Sequence, residues 1–393
     1  MSTSTSATSA AAAKSPGPVG VGDRLRLWWN QLSRPAQWGV GLPIILLIAA
    51  MPVIRPPLLT TPDTDFGAVM AQFGMYALLA IGLNVVVGSA GLLDLGYVGF
   101  YAVGAYTVGL LTSPDSPWNK TGADGFLSDK WAWLAVLPVA VAVTAISGLI
   151  LGSPTLRLRG DYLAIVTLGF GEIVRLLADN LENTTGGGQG LSGIAYPRVG
   201  VTEANPFGIF SIGNTAEPFN SGLWWFWLSI VLIIVVLMFV GNLERSRVGR
   251  AWVAIREDED AAEIMGVPTF KFKLWAFVIG ASIGGLSGAL YAGQVQFVVP
   301  TNFNVINSVL FLCAVVLGGQ GNKLGVILGA FIIVYLPNRF LGIGDYKYLI
   351  FGLALMIMMV FRPQGLIPVR QKLLAYGRKI WQAAGRRSRE EQS

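Results

Sequence analysis

Glu172 and Arg175 stand three residues apart in an otherwise apolar run. Opposite charges at that spacing share one face of a helix. Glu172 lies about 11 residues past Asp161, roughly 16 Å at helical rise, near the middle of a ~30 Å hydrocarbon core. A charge at that depth costs on the order of 2.5–3.5 kcal/mol, so the two must pair or face water. An ion pair that fixes packing and a role along a solute path stand level on these grounds. Asn84, Gln294 and Gln296 carry groups able to hydrogen-bond a solute, and equally able to join helices as polar glue. Asp94 sits near a span end, where interfacial water makes a carboxylate inexpensive. Bond-making chemistry has little to work with. The chain contains no His, the commonest general base and metal ligand. Its single cysteine, Cys313, lies in an apolar run and allows neither an internal disulfide nor a cysteine cluster. Gly318-Gly319-Gln320-Gly321-Asn322-Lys323 is glycine-rich but lacks the order of a nucleotide-binding P-loop.

The elements that position these residues are membrane spans. Hydrophobic residues make up 53% of the 393 and charged residues 13%, against about 25% charged in a soluble domain. Residues 1–22 are Ser, Thr, Ala, Gly and Pro with little charge. No apolar core follows at signal-peptide distance, so a disordered tail is expected. Apolar runs then recur at 40–54, 66–87, 92–111, 131–151, 162–178, from Leu223, 274–292, 305–317, 324–340 and 348–361. Ten crossings and an all-α fold follow. The eighth and tenth runs are short for a bilayer that needs roughly 20 apolar residues, which allows broken or re-entrant geometry. Gly280, Gly284, Gly288 and Ala292 form a small-residue stripe, as do Gly325 and Gly329, and Gly148 and Gly152. Such stripes let helices pack closely.

Charge distribution orients the bundle. With a cytosolic N-terminus, the segments containing Arg24, Arg26 and Arg34, then Arg157 and Arg159, the 243–273 loop and the basic C-terminus all fall on one side. The acid-leaning 179–222 loop falls on the other. This is the positive-inside arrangement. It accounts for the net charge of +6 without nucleic acid. The expected organisation is a basic tail at 1–35, a membrane domain at 36–365 and a basic tail at 366–393, with both termini cytosolic.

Within the 243–273 loop, Arg245, Arg247, Arg250 and Arg256 precede Glu257-Asp258-Glu259-Asp260 and then Ala261-Ala262-Glu263-Ile264-Met265-Gly266-Val267-Pro268. The second half reads as a complete short helix. Acids favour its start, Gly266 suits a left-handed stop, and Pro268 blocks continuation. Ala261, Ile264 and Met265 share an apolar face. Periodicity alone describes an ordinary solvated loop helix. However, Asp260-Ala261-Ala262, three residues and Gly266 resemble the EAA…G loop of ABC-importer permeases, with Asp for Glu.

The resemblance extends along the chain. Gly82-Leu83-Asn84-Val85-Val86-Val87-Gly88, Gly91-Leu92-Leu93-Asp94-Leu95-Gly96-Tyr97 and the run from Leu156 to Arg175 are similar to the LivM-type permeases for branched-chain amino acids. So are Gly249-Arg250-Ala251-Trp252, Val316-Leu317-Gly318-Gly319 and Arg362-Pro363-Gln364-Gly365-Leu366. That family implies a type II-like importer fold in the bacterial inner membrane. It also implies a second homologous permease, two ATP-binding subunits that carry ATP and Mg, an extracytoplasmic substrate-binding protein, and no cofactor on this chain. ATP-driven alternating access would move leucine, isoleucine or valine. Arg250, Asp260, Ala261, Ala262 and Gly266 would couple to the ATPase, and Asn84, Asp94, Glu172, Arg175 and Gln296 are candidates for the path. A urea permease is the nearest alternative, although its counterpart to Leu93–Tyr97 typically carries Ser and His. A substrate-driven secondary transporter is the rival of another class, and a membrane enzyme finds no nucleophile motif to support it.

Overall fold

The protein is seen as a computed structural model that describes residues 43, 46–56, 60–61, 64–119, 121, 131–158, 160–201, 207–215, 219–340, 346–361 and 365–367. Arg24, Arg26, Arg34, Arg159, Arg362-Pro363-Gln364 and the basic C-terminal residues lie outside these, as do the first residues of the expected 40–54 span. Two compact units are distinguished, Met1–Met51 and Pro52–Ser393. Residues 46–51 of the first are helical. The second holds everything described below.

The long apolar runs are helices. α1 is Phe66–Asn84, prolonged by a π-helical turn at Val85–Ser89. α2 is Val98–Thr112, α3 Ala132–Thr155 and α4 Asp161–Asn180. α5, Ser221–Arg245, leads through α6, Arg247–Glu257, and α7, Glu259–Ile264, to α8, Thr269–Val295. α9, Val305–Gly318, α10, Lys323–Arg339, and α11, Lys347–Phe361, complete the order. Among the described residues, four helical segments are long and apolar enough to cross a membrane: Phe66–Ser89, α3, α5 and α8. α2, α9 and α11 are shorter apolar helices. At 14 and 15 residues, α9 and α11 span about 21–23 Å, less than a ~30 Å core.

Burial separates helices that composition cannot. The most apolar window of α1 is 89% buried inside the protein and that of α3 only 22%. α1 is therefore a central helix, and α3 turns most of its surface outward. α8 lies beside α1, α2 and α3, and the glycine stripes explain how closely. A side-chain carbon built on Gly104 would overlap the backbone of Gly285, and one on Gly285 would overlap Thr144. Gly288 lies equally close to the Tyr101 carbonyl. Polar links are few and reach backbone groups: Tyr97 Oη donates to the Gly280 carbonyl (2.6 Å) and Ser287 Oγ to that of Met75 (2.9 Å).

Two local features depart from the sequence reading. The span expected at 92–111 is helical only from Val98. Gly91 turns the chain at φ +73°, and the stretch up to Tyr97 finds side-chain acceptors instead of a helical ladder. Leu95 N–H donates to Thr167 Oγ1 (3.1 Å) and Gly96 N–H to Asp94 Oδ1 (2.9 Å). The long 179–222 loop contributes a strand, β1 (Leu191–Ser192), antiparallel to β2 (Phe297–Val298). Asp115 holds that strand from the side, accepting from Ser192 N (3.1 Å) and Ser192 Oγ (2.5 Å).

Candidate functional site

The segment between α5 and α8 is built from two capped helices. Ser246 Oγ accepts from Val248 N at the start of α6 (3.1 Å), and Asp258 Oδ1 accepts from Ala261 N at the start of α7 (3.0 Å). Gly266 follows α7 at φ +83°, the left-handed conformation expected of a helix stop. Three contacts hold this segment to the bundle. Trp252, 1% exposed, donates from Nε1 to the Phe272 carbonyl (2.8 Å). Lys273, buried, forms an ion pair with Glu259. Arg256 Nη1 donates to the Gly88 carbonyl at the end of the π-helical turn (2.6 Å).

The tip of the segment remains uncovered. Ile264 is 86% and Met265 83% exposed, and Ala261 beside them is exposed too. This is the apolar face expected from spacing, and among the described residues nothing covers it. Ala262 differs from its neighbour: it is buried and belongs to the anchored side of the helix. Arg250 is exposed on α6. A second cavity, of about 350 Å³, lies behind the segment between Val87, Gly91, Leu93, Arg256, Glu257 and Gln320.

A larger cavity, about 420 Å³, opens at the end of the bundle where α1 begins and α8 finishes. Its walls come from residues far apart in sequence. Gln72, Met75 and Tyr76 of α1, Tyr101 of α2, Tyr291 and Gln294 of α8, and Phe311 of α9 line it, with Thr64, Asp65, Asn302 and Asn307 nearer the loops. Tyr76 and Tyr101 each set their ring edge-to-face against Phe311, at centroid distances of 5.1 and 5.8 Å. The volume falls within the range of small-ligand sites, ~300–1,000 Å³.

None of the five path candidates from the sequence lines this cavity. Asn84 is buried, and its Oδ1 accepts from Gly321 N (2.8 Å), joining α1 to the α9–α10 turn. Asp94 is 1% exposed, so the expectation of a solvated span end is wrong. Because α2 starts six residues later than its apolar composition implies, the carboxylate is enclosed beside α4. Gln296 ends α8 in the left-handed conformation, at φ +56°. Glu172 and Arg175 do meet, with Arg175 Nε donating to Glu172 Oε1 (2.9 Å). They remain partly exposed on the outer side of α4, among Ile165, Ile173 and Leu177, each more than half exposed.

The sequence pattern of the family described as "Branched-chain amino acid transport system / permease component" matches residues 66–360. This chain belongs to that family. The high-affinity branched-chain amino acid transport system permease protein LivM of Salmonella typhimurium is 41% identical over 308 residues, 76% of this chain and 69% of that protein. The probable LivM of Methanocaldococcus jannaschii is 26% identical, covering 76% of this chain and 92% of its own length. The LivH permease protein of S. typhimurium is 23% identical over 74% of this chain and 91% of its own. No solved structure matches. The protein is thus a LivM-family, all-α polytopic permease subunit, a transport component and not an enzyme.

Two features of the permease escaped the sequence. Arg256 read as one member of a basic cluster, and only the fold brings it to Gly88. The cavity residues carried no periodic signal, because α1 and α2 are apolar on every face and buried on nearly all of them. Gln294 was the single cavity residue visible in advance, as a polar group in an apolar helix.

Proposed function

We propose that the permease is the membrane path of an ATP-driven importer of leucine, isoleucine and valine, docked through α7 to a separate ATPase. The observation that carries this reading is the bare apolar tip Ala261–Ile264–Met265 on a helix that is capped, stopped and anchored. Adjacent large apolar side chains left together in solvent are the kind of patch a partner covers. Asp260, Ala261 and the Gly266 turn form the docking contact, with Arg250 at its edge. Ala262 supports it from beneath.

Ten crossings put both termini and α7 in the cytosol and the 420 Å³ cavity at the extracytoplasmic end of the inner membrane. A substrate-binding protein delivers there, and two ATP-binding subunits supply ATP and Mg. The second permease is a homologue. Two different permease proteins of S. typhimurium, LivM and LivH, are both similar to this chain, which supports a paired assembly. That partner, rather than lipid, is the neighbour that accommodates Glu172 and Arg175 on the outer face of α4. Alternating access then proceeds as ATPase closure displaces α7.

Uptake by the reconstituted complex tests the reading. Labelled leucine should enter vesicles only with ATP, and isoleucine and valine should compete while urea does not. Uptake without ATP would instead identify a secondary transporter, and urea uptake indifferent to leucine a urea permease. For topology, single cysteines in a Cys313→Ser background should label at Asn183 from outside. Labelling there from the cytosol alone would reverse the orientation.

A further inference from the structure

We infer that the 420 Å³ cavity is a holding site that grips the ammonium of an aliphatic amino acid at its mouth and the side chain at its floor, leaving the carboxylate without a charged partner. This rests on the import reading above. The polarity of the lining carries the argument. Asp65 is the one carboxylate among the lining residues, and no Lys or Arg is among them. Gln294 Oε1 and Thr64 Oγ1, both lining the cavity, are buried and have no hydrogen-bond partner among the described residues. A buried acceptor without a donor costs roughly 1–3 kcal/mol. An ammonium offers three donors and a positive charge, which suits a carboxylate and two waiting oxygens.

A carboxylate ligand finds no cation among the lining residues, only neutral donors of which some are engaged. Asn302 Nδ2 already donates to Tyr291 Oη (2.6 Å) and Asn307 Nδ2 to the Asn302 carbonyl (2.8 Å). The floor is made by Tyr76, Tyr101 and Phe311, whose packed rings offer apolar surface for a branched aliphatic group. Amine and hydrocarbon are therefore the recognised parts. A keto acid with the same side chain, lacking the ammonium, binds more weakly than a simple branched amine.

The test is equilibrium binding of tritiated leucine to the purified permease–ATPase complex in nanodiscs without binding protein. 3-Methylbutylamine should compete more strongly than 4-methyl-2-oxopentanoate. Asp65→Asn removes the charge but keeps an oxygen able to cap α1, where Asp65 Oδ1 and Oδ2 now accept from Gly67 N and Ala68 N. It should weaken binding about tenfold, as should Gln294→Leu, each losing a charge-assisted hydrogen bond. Phe311→Ala should erase the preference for leucine over alanine. Wild-type affinity in both Asp65→Asn and Gln294→Leu would overturn the assignment, as would competition by the keto acid and not the amine. Absence of leucine binding to a complex that still imports leucine with its binding protein would remove the holding site and leave the import reading standing. Absence of both would remove both.

Discussion

Arg256 and Gly88, 168 residues apart, are joined by a hydrogen bond of 2.6 Å from the guanidinium to a backbone carbonyl. The bond links the α6–α7 segment to the π-helical turn that ends α1, and α1 at its other end lines the large cavity. A π-helical turn offsets the usual hydrogen-bond ladder, and here the Gly88 carbonyl turns to a side chain.

Breaking that bond should uncouple the machine without dismantling it. Arg256→Met keeps the apolar stem and removes the donors. We expect ATPases to co-purify and hydrolyse ATP while leucine uptake per ATP falls about tenfold, the equivalent of one charge-assisted hydrogen bond. Arg256→Lys, with a donor on a flexible stem, should lie between. Wild-type stoichiometry of uptake in Arg256→Met would show that motion reaches α1 by another route.

The exposed tip of α7 gives the second prediction. Ile264→Asp and Met265→Asp should leave the permease inserted and monodisperse, since both side chains are already in solvent, yet prevent ATPase co-purification. Gly266→Val should weaken docking too, through conformation alone. Nothing lies within 4 Å of a side chain built there, but φ is +83°, where a β-branched residue is strained. Normal docking in all three would return this stretch to an ordinary surface loop.

Glu172 and Arg175 should behave as a unit. Neutralising one strands the other at membrane depth, a cost on the order of 2.5–3.5 kcal/mol. Glu172→Gln and Arg175→Gln should each impair assembly or uptake more than the double variant. A double-mutant cycle without coupling energy would show that the two charges act separately.

The glycine contacts can be tested by size. Gly285→Val should sharply lower folded yield through overpacking against Thr144, which commonly costs 1–3 kcal/mol or more. Thr144→Ala should restore part of it. Gly169→Ala is the control, with no atom within 4 Å of the added carbon.

Asp115 gives a pH dependence. Its two hydrogen bonds from Ser192 hold its carboxyl below the ordinary value. A depressed folded value adds stability above the unfolded value, near 3.9, and loses it as pH falls through the folded one. Protection of the Ser192 amide, relative to its intrinsic exchange rate at each pH, should therefore be high at neutral pH and fall under acid. Asp115→Asn should flatten that profile.

Long apolar helices were legible from sequence because burial in lipid or protein demands the same composition: α3, α8 and α10 lie within a few residues of where their apolar runs put them. The same indifference hid the rest. Leu92–Tyr97 is as apolar as a helix, yet its amides bond to Asp94 and Thr167, a solution visible only once α4 is beside it. The cavity is assembled from positions 64 to 338, so its identity is a product of topology. Glu172 and Arg175 were legible as a pair because helical geometry brings i and i+3 together locally; that they face outward was not.

Where Gly104 meets Gly285 there is no side chain between the elements to absorb a displacement, and where Gly285 meets Thr144 there is only a short, β-branched one. Close-packed surfaces of this kind resist both compression and sliding. α2, α3 and α8 thus form a keel, three helices that travel together or stay put together. Solute cannot be squeezed through a keel. α11 makes no such contact, with nothing within 4 Å of a side chain built on Gly352 and Phe351 as its one buried residue, so the thermal breathing of the permease should concentrate there while the keel stays still.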